Sequence, residues 1–590
     1  MSSAKPTDGL VSYAISIGNA RLEDKYQVLR IEVTKQVNRI SHALVEIRDG
    51  CVAKGAFSAS DSAKFNPGAS VAISMGYQNK VEPVFTGIIT KQHLAINQQN
   101  TSVLRLECKN PAIKMTQGRN NACYFELTDS KIIEKITAKY SLPTKAEATK
   151  FAHTQMVQYY ASDWDFILTR AQANGQLVFT EDGGLQINKP QGGEAAASLV
   201  YGKNILGFDA EVDSDEQYPQ ISSFSWQPDE QKLLEVKAKT PSQTQEGNPS
   251  EKLASDLKTK PLILQHGATL AKEDMQAWAD AYWQNSTMSS VSGNVSTQGI
   301  AALKPGDIIE LDGLAKHFNG KVWVKSVHQE MLGGNWVSHI GLGLGSAWFG
   351  HKPDVHTPLN QGLLPAVKGL QIGLVTEIDP EKTYKVRVKL PLISEDTKGV
   401  WARLGSNYAG KEYGCLFYPE VGDEVVLGFL DNDPRSPIIL SALNSVKQPP
   451  SAEGKTAKPQ KYLITKNKLK LCFDDEKKVI HLETPGGCQF DLSDEKKSIL
   501  IKDPNGNECK MSDAGISLSS SKDILIKSTG GDLTLEGANV NITATTGDCV
   551  ASGVNIDLSA NAQLKAAGTA GVELSASGNT IIKGTMVMIN

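Results

Sequence analysis

The sequence predicts a mainly β chain with a minor α component, ending in a thin β-prism. Three observations carry that prediction. The chain of 590 residues holds 15 Phe, 15 Tyr and 8 Trp, yet no ring occurs between Asp491 and Asn590. Rings bury the most area per side chain, so a hundred residues without one implies a core too narrow to hold them. The same region repeats itself, and short strand-like alternation recurs through most of what precedes it. The remaining composition, 40% hydrophobic and 21% charged, is that of a folded chain, and its length calls for about four domains.

Residues 1–350 read as β-rich with helices. Val11–Ile17, Gln27–Val33, Leu44–Arg48 and Ser70–Gly76 alternate as strands do. Thr128–Tyr140 places Ile133, Ile136 and Tyr140 on one helical face. Ser162–Ala173 opens with Ser162 as N-cap and Asp165 three residues on, and closes near Gly175. Lys272–Gln284 sets Met275, Trp278, Ala279 and Tyr282 on a helical stripe. Ser242–Thr259 is polar and reads as an exposed loop. His351–Leu364 carries proline and no periodicity, so 351–366 is a linker.

Residues 367–444 suit a small closed barrel of the OB type. Its candidate strands are Leu370–Glu377, Lys382–Leu390, Gly399–Arg403, Gly414–Tyr418, Glu424–Leu430 and Pro437–Leu440. A second proline-bearing connector, 445–460, leads to the repetitive section 461–590. There Asp475-Glu476-Lys477-Lys478 recurs 19 residues on as Asp494-Glu495-Lys496-Lys497. Pro485 and Gly487 recur as Pro504 and Gly506, and a weaker third copy begins at Asp513. Each unit reads as a charged turn, one alternating strand and a Pro/Gly turn. Beyond it, apolar positions near Ile524, Leu533, Val540, Cys549, Ile556, Leu564, Val572 and Ile581 advance by about eight residues per step. One or two inward aliphatics per step make a single wall, so three chains about a threefold axis would enclose a thin aliphatic thread. A single-chain solenoid is the alternative, since a sequence does not count chains.

Several classes are excluded. Lys+Arg 61 against Asp+Glu 65 argues against a phosphate-binding surface as the main business. No apolar run is long enough for a membrane helix, and the start lacks the pattern of a secretory signal. The 8 cysteines include no Cys-x-x-Cys pair, so reduced thiols and synthesis in the cytoplasm are expected. Asp163 and Asp165 read as helix-capping groups rather than a catalytic pair, and Asp431 and Asp433 as turn residues rather than, with Glu420, a metal cluster. His351 and His356 lack a third ligand, and Gly341-Leu342-Gly343-Leu344-Gly345 meets Ser346 where a dinucleotide fingerprint needs glycine. No catalytic, metal or cofactor site is expected. A nucleic-acid-binding barrel lacks its basic groove, and a carbohydrate-cleaving solenoid lacks aromatic platforms.

The stretch Phe417–Leu440 resembles the barrel signature of the VgrG spike family, carried by Pro419, Gly422, Asp423, Glu424, Val425, Asn432, Asp433, Pro434, Arg435 and Pro437. Phe85–Thr90, Ser162–Gly175, Leu303–Gly313 and Phe318–His328 are similar to that family's hub pieces, in order. The resemblance implies a trimeric central spike of a contractile injection system. Residues 1–350 would then be a hub of two β-barrel-like subdomains that docks the inner tube and baseplate proteins. Residues 367–444 would be the OB-fold collar and 461–590 a triple-stranded β-helix needle that meets a membrane only by puncturing it. The same resemblance covers tailed-phage baseplate hub-spikes. It implies a PAAR-type tip protein and the option of effector cargo, in a particle assembled in the cytoplasm and delivered outside or into a target cell. No lysozyme domain fits in the connector, and no effector domain is expected to be fused behind the needle. Met586-Val587-Met588-Ile589-Asn590 stays apolar to the end, and three such ends would make a blunt face for that tip protein.

Overall fold

The computed structural model describes residues 9–589 apart from 100, 182, 242–249, 354, 356–358, 382, 393–397 and 452–458. His356, Asn590 and parts of both connectors therefore lie outside the described residues. The chain divides into two units, residues 1–441 and 442–590.

In the first unit, strands from both ends of the N-terminal section share one 13-stranded sheet. The joining strand is Gly320–Leu332, which pairs with Val28–Gln36 on one side and Asn335–Leu342 on the other. Around Ile31, Ile47, Phe65, Ile73 and Leu104 one core forms; around Leu199, Val295, Ile309 and Ile340 another. Alternation of buried and exposed positions along Val11–Ile17 and His42–Asp49 follows from the two-residue period of a strand with one wet face.

Three helices fall where their stripes and caps place them: α1 Asp129–Ala138, α2 Asp163–Ala173, and a long helix at Lys272–Met288. The Ser162 hydroxyl accepts the Asp165 N–H at 3.0 Å, as the capping pattern requires. Ile132, Ile133, Ile136 and Ile167 close a helical core between α1 and α2. The long helix runs to Met288, four residues past its expected end, and buries Met275, Ala279 and Trp283, with Trp278 and Tyr282 half-buried. One expectation fails. Part of the polar Ser242–Thr259 loop is a helix, Ser250–Leu257, because its Lys, Leu, Ala and Glu are strong helix formers and Ala254 finds a core to enter.

The barrel is closed by Gln371–Ile378, Lys385–Lys389, Val400–Leu404, Pro437–Ala442 and Glu424–Phe429, in that order around the wall. Val375, Val386, Val388, Ala402, Val425, Leu427 and Ile439 fill it. Gly414–Tyr418 is not one of its strands: only Tyr413–Gly414 pairs, with Ala409–Gly410, in a separate hairpin. The physical reason is local. Pro419 removes an N–H, and Gly414 at φ +143° turns the chain off the sheet line.

The second unit holds a seven-stranded antiparallel meander from Gln460 to Ser519. Each 19-residue repeat supplies two strands here, not one. The Pro/Gly turn reverses the chain as fully as the charged turn does, so Val479–Glu483 and Gln489–Ser493 lie antiparallel within one unit. The repeat is faithful down to the backbone: Lys478 and Lys497 are both left-handed (φ +54° and +46°), as are Gly487 and Gly506 (φ +90° and +89°). Residues 520–589 join no ladder within the chain, and 521–589 are exposed throughout.

Candidate functional site

Because cross-strand partners in an antiparallel sheet share a face, the meander's pairings sort its side chains into two sets. One face runs Leu463, Leu471, Leu482, Phe490, Ile501, Cys509 and Leu518, each paired to the next across the ladder. A parallel row carries Phe473, Ile480, Leu492, Ile499, Met511 and Ile516. Leu482, Ile501 and Leu518 stay 41%, 51% and 58% exposed, lining an open hollow of about 1020 Å³. An apolar face of this length, wet in one copy, is an interaction surface.

The opposite face is polar. His481 lies across from Asp491 and two residues before Glu483. Its Nδ1 is hydrogen-bonded to Asp491 Oδ1, and its Nε2 lies 3.2 Å from Glu483 Oε2. A carboxylate only accepts, so two of them satisfy both ring nitrogens together only when the imidazole is protonated. Burial works against the charged ring, but the bonds to Asp491 and Glu483 outweigh it, and the His481 pKa is raised.

Downstream, the aliphatics come in pairs two apart: Ile524 and Ile526, Leu533 and Leu535, Val540 and Ile542, Ile556 and Leu558, Val572 and Leu574. In an extended chain such pairs share a side. All ten are more than half exposed. The expected tip residues Met586, Val587, Met588 and Ile589 are exposed as well.

The groups weighed for chemistry fall apart in space. Asp163 is buried, accepting from Tyr140 Oη at 2.8 Å and Gln158 Nε2 at 2.7 Å, while the Asp165 carboxylate receives the Ser162 hydroxyl at 2.6 Å. Asp431 and Asn432 are left-handed turn residues, and Asp433 holds Arg435 at 2.6 Å. Asp423 accepts the Glu420 N–H. Gly341 lies within the strand Asn335–Leu342, and a Cβ on it would lie 2.2 Å from Ser326 Oγ. His351 closes a short 3-10 turn. Among the described residues no group of three or more His, Cys, Asp and Glu is placed to hold a metal, and no helix is long and apolar enough to cross a membrane.

The sequence reading missed one cluster. Asp129, at the start of α1, accepts from Arg170 on α2 (2.7 and 2.9 Å) and from Asn174 at the C-cap of α2 (2.8 Å), and lies 3.0 Å from His153 Nε2. Burial raises the Asp129 pKa, but the hydrogen bonds from His153 and Arg170 prevail and hold it well below the usual carboxylate range. No spacing rule joins residues 129, 153, 170 and 174; only the position of Asp129 in the first turn of a capped helix was a sign. The cluster ties α1, α2 and the strand Ala152–Ala161 together, and bears on stability rather than chemistry.

Against known proteins, residues 7–332 match the family described as Alg8 N-terminal domain, a description that names a domain and no reaction. Residues 371–443 match the type VI secretion system/phage-baseplate injector OB domain, and residues 479–548 the phage baseplate V C-terminal trimerisation domain. The type VI secretion system spike protein VgrG5 of Pseudomonas aeruginosa is 33% identical over 106 residues, 16% of this chain and 13% of the relative. VgrG3 of Vibrio cholerae is 34% identical over 84 residues, 13% of this chain and 8% of the relative. The chain thus spans about a tenth of the length of these curated relatives. Among solved structures, the Escherichia coli c3393 protein, described as a type VI secretion component similar to T4 tail proteins gp27 and gp5, has a TM-score of 0.38 at 14% identity. It covers 73% of this chain and 99% of its own. The prophage MuSo2 43 kDa tail protein of Shewanella oneidensis has a TM-score of 0.43 at 11% identity, covering 56% and 98%. With residues 7–332 matched, more than half of its length, the chain belongs to the Alg8 N-terminal domain family, and the barrel and trimerisation modules behind that domain make it similar to VgrG-type spike proteins.

Proposed function

We propose that the chain works as a homotrimeric central spike of a contractile injection system. Its 1–350 section docks the inner tube and baseplate, and its 461–590 section is the needle that pierces the target envelope. The observation that carries this is the state of residues 521–589: an apolar position about every eight residues, five of them joined by a second aliphatic two residues on, all exposed, with no ladder inside the chain. Such a strand gains stability only by pairing with identical strands, which complete its hydrogen bonds and cover its aliphatics. The apolar face of the meander asks for the same partners, and residues 479–548 match a trimerisation domain. The role is mechanical and non-enzymatic: ladder bonds between copies must break together before the needle shears. On this reading the particle is assembled from the cytoplasm and delivered outward. A tailed-phage baseplate hub-spike is the second reading, favoured by the same baseplate match.

Native mass spectrometry of the full chain should return three times the chain mass with no folded monomer. A stable, heat-resistant monomer would defeat the proposal.

A further inference from the structure

The barrel carries two apolar surfaces that its own core does not use. One is the hairpin between Gly405 and Pro419, a finger standing off the closed wall. Its shape is held by backbone bonds rather than by packing. Ala409 pairs with Gly414 and Gly410 with Tyr413, the Cys415 N–H donates to Tyr408 O at 2.8 Å, and the Ser406 hydroxyl reaches Tyr408 O and Cys415 O. A side chain at Gly410 would collide with the Tyr413 ring, its Cβ lying 2.1 Å away. The finger is therefore preformed, and Tyr418 packs against the barrel core at its return. Yet Tyr408, Tyr413, Leu416 and Phe417 are 64%, 59%, 63% and 57% exposed. Four large apolar side chains on a rigid projection form a display, not a core.

The other surface is the outer wall. Along Gln371–Ile378 the inward set is Gly373 and Val375, while Ile372 and Leu374 face out, with Ile372 paired to Val426 across the ladder. Leu440, 55% exposed, lies over Gly428, whose missing side chain makes the space: a Cβ there would sit 3.3 Å from Leu440 Cδ1. A solvated barrel exterior would alternate to polar residues at these positions.

The occupant follows from symmetry. This inference rests on the trimer proposed above. Away from a threefold axis the contact between side-by-side neighbours is heterologous, so each copy there offers two different, complementary patches. A projecting finger and a flat wall are such a pair for neighbours that meet side by side, away from the axis where like residues of three copies converge. We propose that the finger of each barrel, led by Leu416 and Phe417, packs on the wall Ile372, Leu374, Val426 and Leu440 of the next copy. The barrels are then joined to one another directly, independently of the needle.

A photo-crosslinking phenylalanine at position 417 of the full-length chain tests this, with isotope-mixed copies separating contacts within a chain from those between chains. The expected result is a particle of three copies by native mass, crosslinked between chains to the peptide holding Ile372 and Leu374 or to that holding Leu440. In the background Ile372→Glu with Leu374→Glu, crosslinking should fall at least tenfold while the native mass stays that of a trimer. A trimer whose position 417 crosslinks elsewhere, or only within its own chain, overturns the inference and leaves the trimer standing. A monomer overturns the trimer itself.

Discussion

Asp129 shows what a single buried carboxylate does in the N-terminal section. Arg170 and Asn174 hold its charge, and removing that charge leaves a guanidinium whose side chain is only 15% exposed with the more distant Asp274, at 3.7 Å, as its carboxylate partner. Breaking one partner of a buried pair costs about 3–5 kcal/mol. Asp129→Asn should therefore lower the urea stability of this section by roughly that amount, read by the fluorescence of Trp164 on α2; a loss under about 1 kcal/mol would show that the pair is idle. His481 works with the opposite sign. Its folded pKa lies above the ordinary 6.5, so its contribution is complete below about pH 6.5 and fades as pH rises through the folded value. The meander should accordingly melt higher at pH 5.5 than at pH 8.5, and His481→Gln should flatten that difference. An unchanged pH profile in the variant would place the dependence elsewhere. Neither residue stood out in the sequence, since each depends on partners brought from separate strands or helices.

At the scale of elements, the legible ones were those whose signal is local. The cap at Ser162, the stripe of the Lys272 helix and five of the six barrel strands follow from side-chain period and turn chemistry alone. The reading slipped where local propensity and pairing part company. Gly414–Tyr418 looks like a strand, but only Gly414 pairs, and it pairs away from the barrel. Ser250–Leu257 looks polar and is, but Ala254 has a core to enter. The 19-residue repeat was visible as a period, while the number of strands per period depended on whether the Pro/Gly turn reverses the chain. The apolar meander face gives the element-scale prediction. Leu482→Asp places a charge amid Leu471 and Phe490, leaving the strand exposed in one copy and intolerable between copies. The variant should remain soluble and fall from trimer to monomer in light scattering. Retention of the trimer would mean that this face is not the shared one.

For the whole molecule, the proposed needle would divide the work between ladder and end. Met586, Val587, Met588 and Ile589 are exposed, and in the proposed trimer three such ends gathered on an axis would present an apolar face for a cap to cover. Deleting residues 585–590 should abolish co-purification of a PAAR-type tip protein while leaving the native mass that of a trimer. A tip protein that still co-purifies would assign its binding to another part of the chain.

The sequence alone determined the modular order, the barrel, the helices and the ring-free, repeating tail, because period, turn residues and the absence of bulky side chains are properties of the chain itself. It also pointed to a tail that gains by sharing its aliphatics among copies, a matter of how much surface one thin strand can cover, while leaving a single-chain solenoid as the alternative. Tertiary structure decided what sequence distance hides: the two-strand repeat of the meander, the carboxylate clamps at Asp129 and His481, and the finger turned away from the barrel wall. Those depend on which strands become neighbours, and hydrogen-bond pairing across many residues leaves no mark in the local pattern.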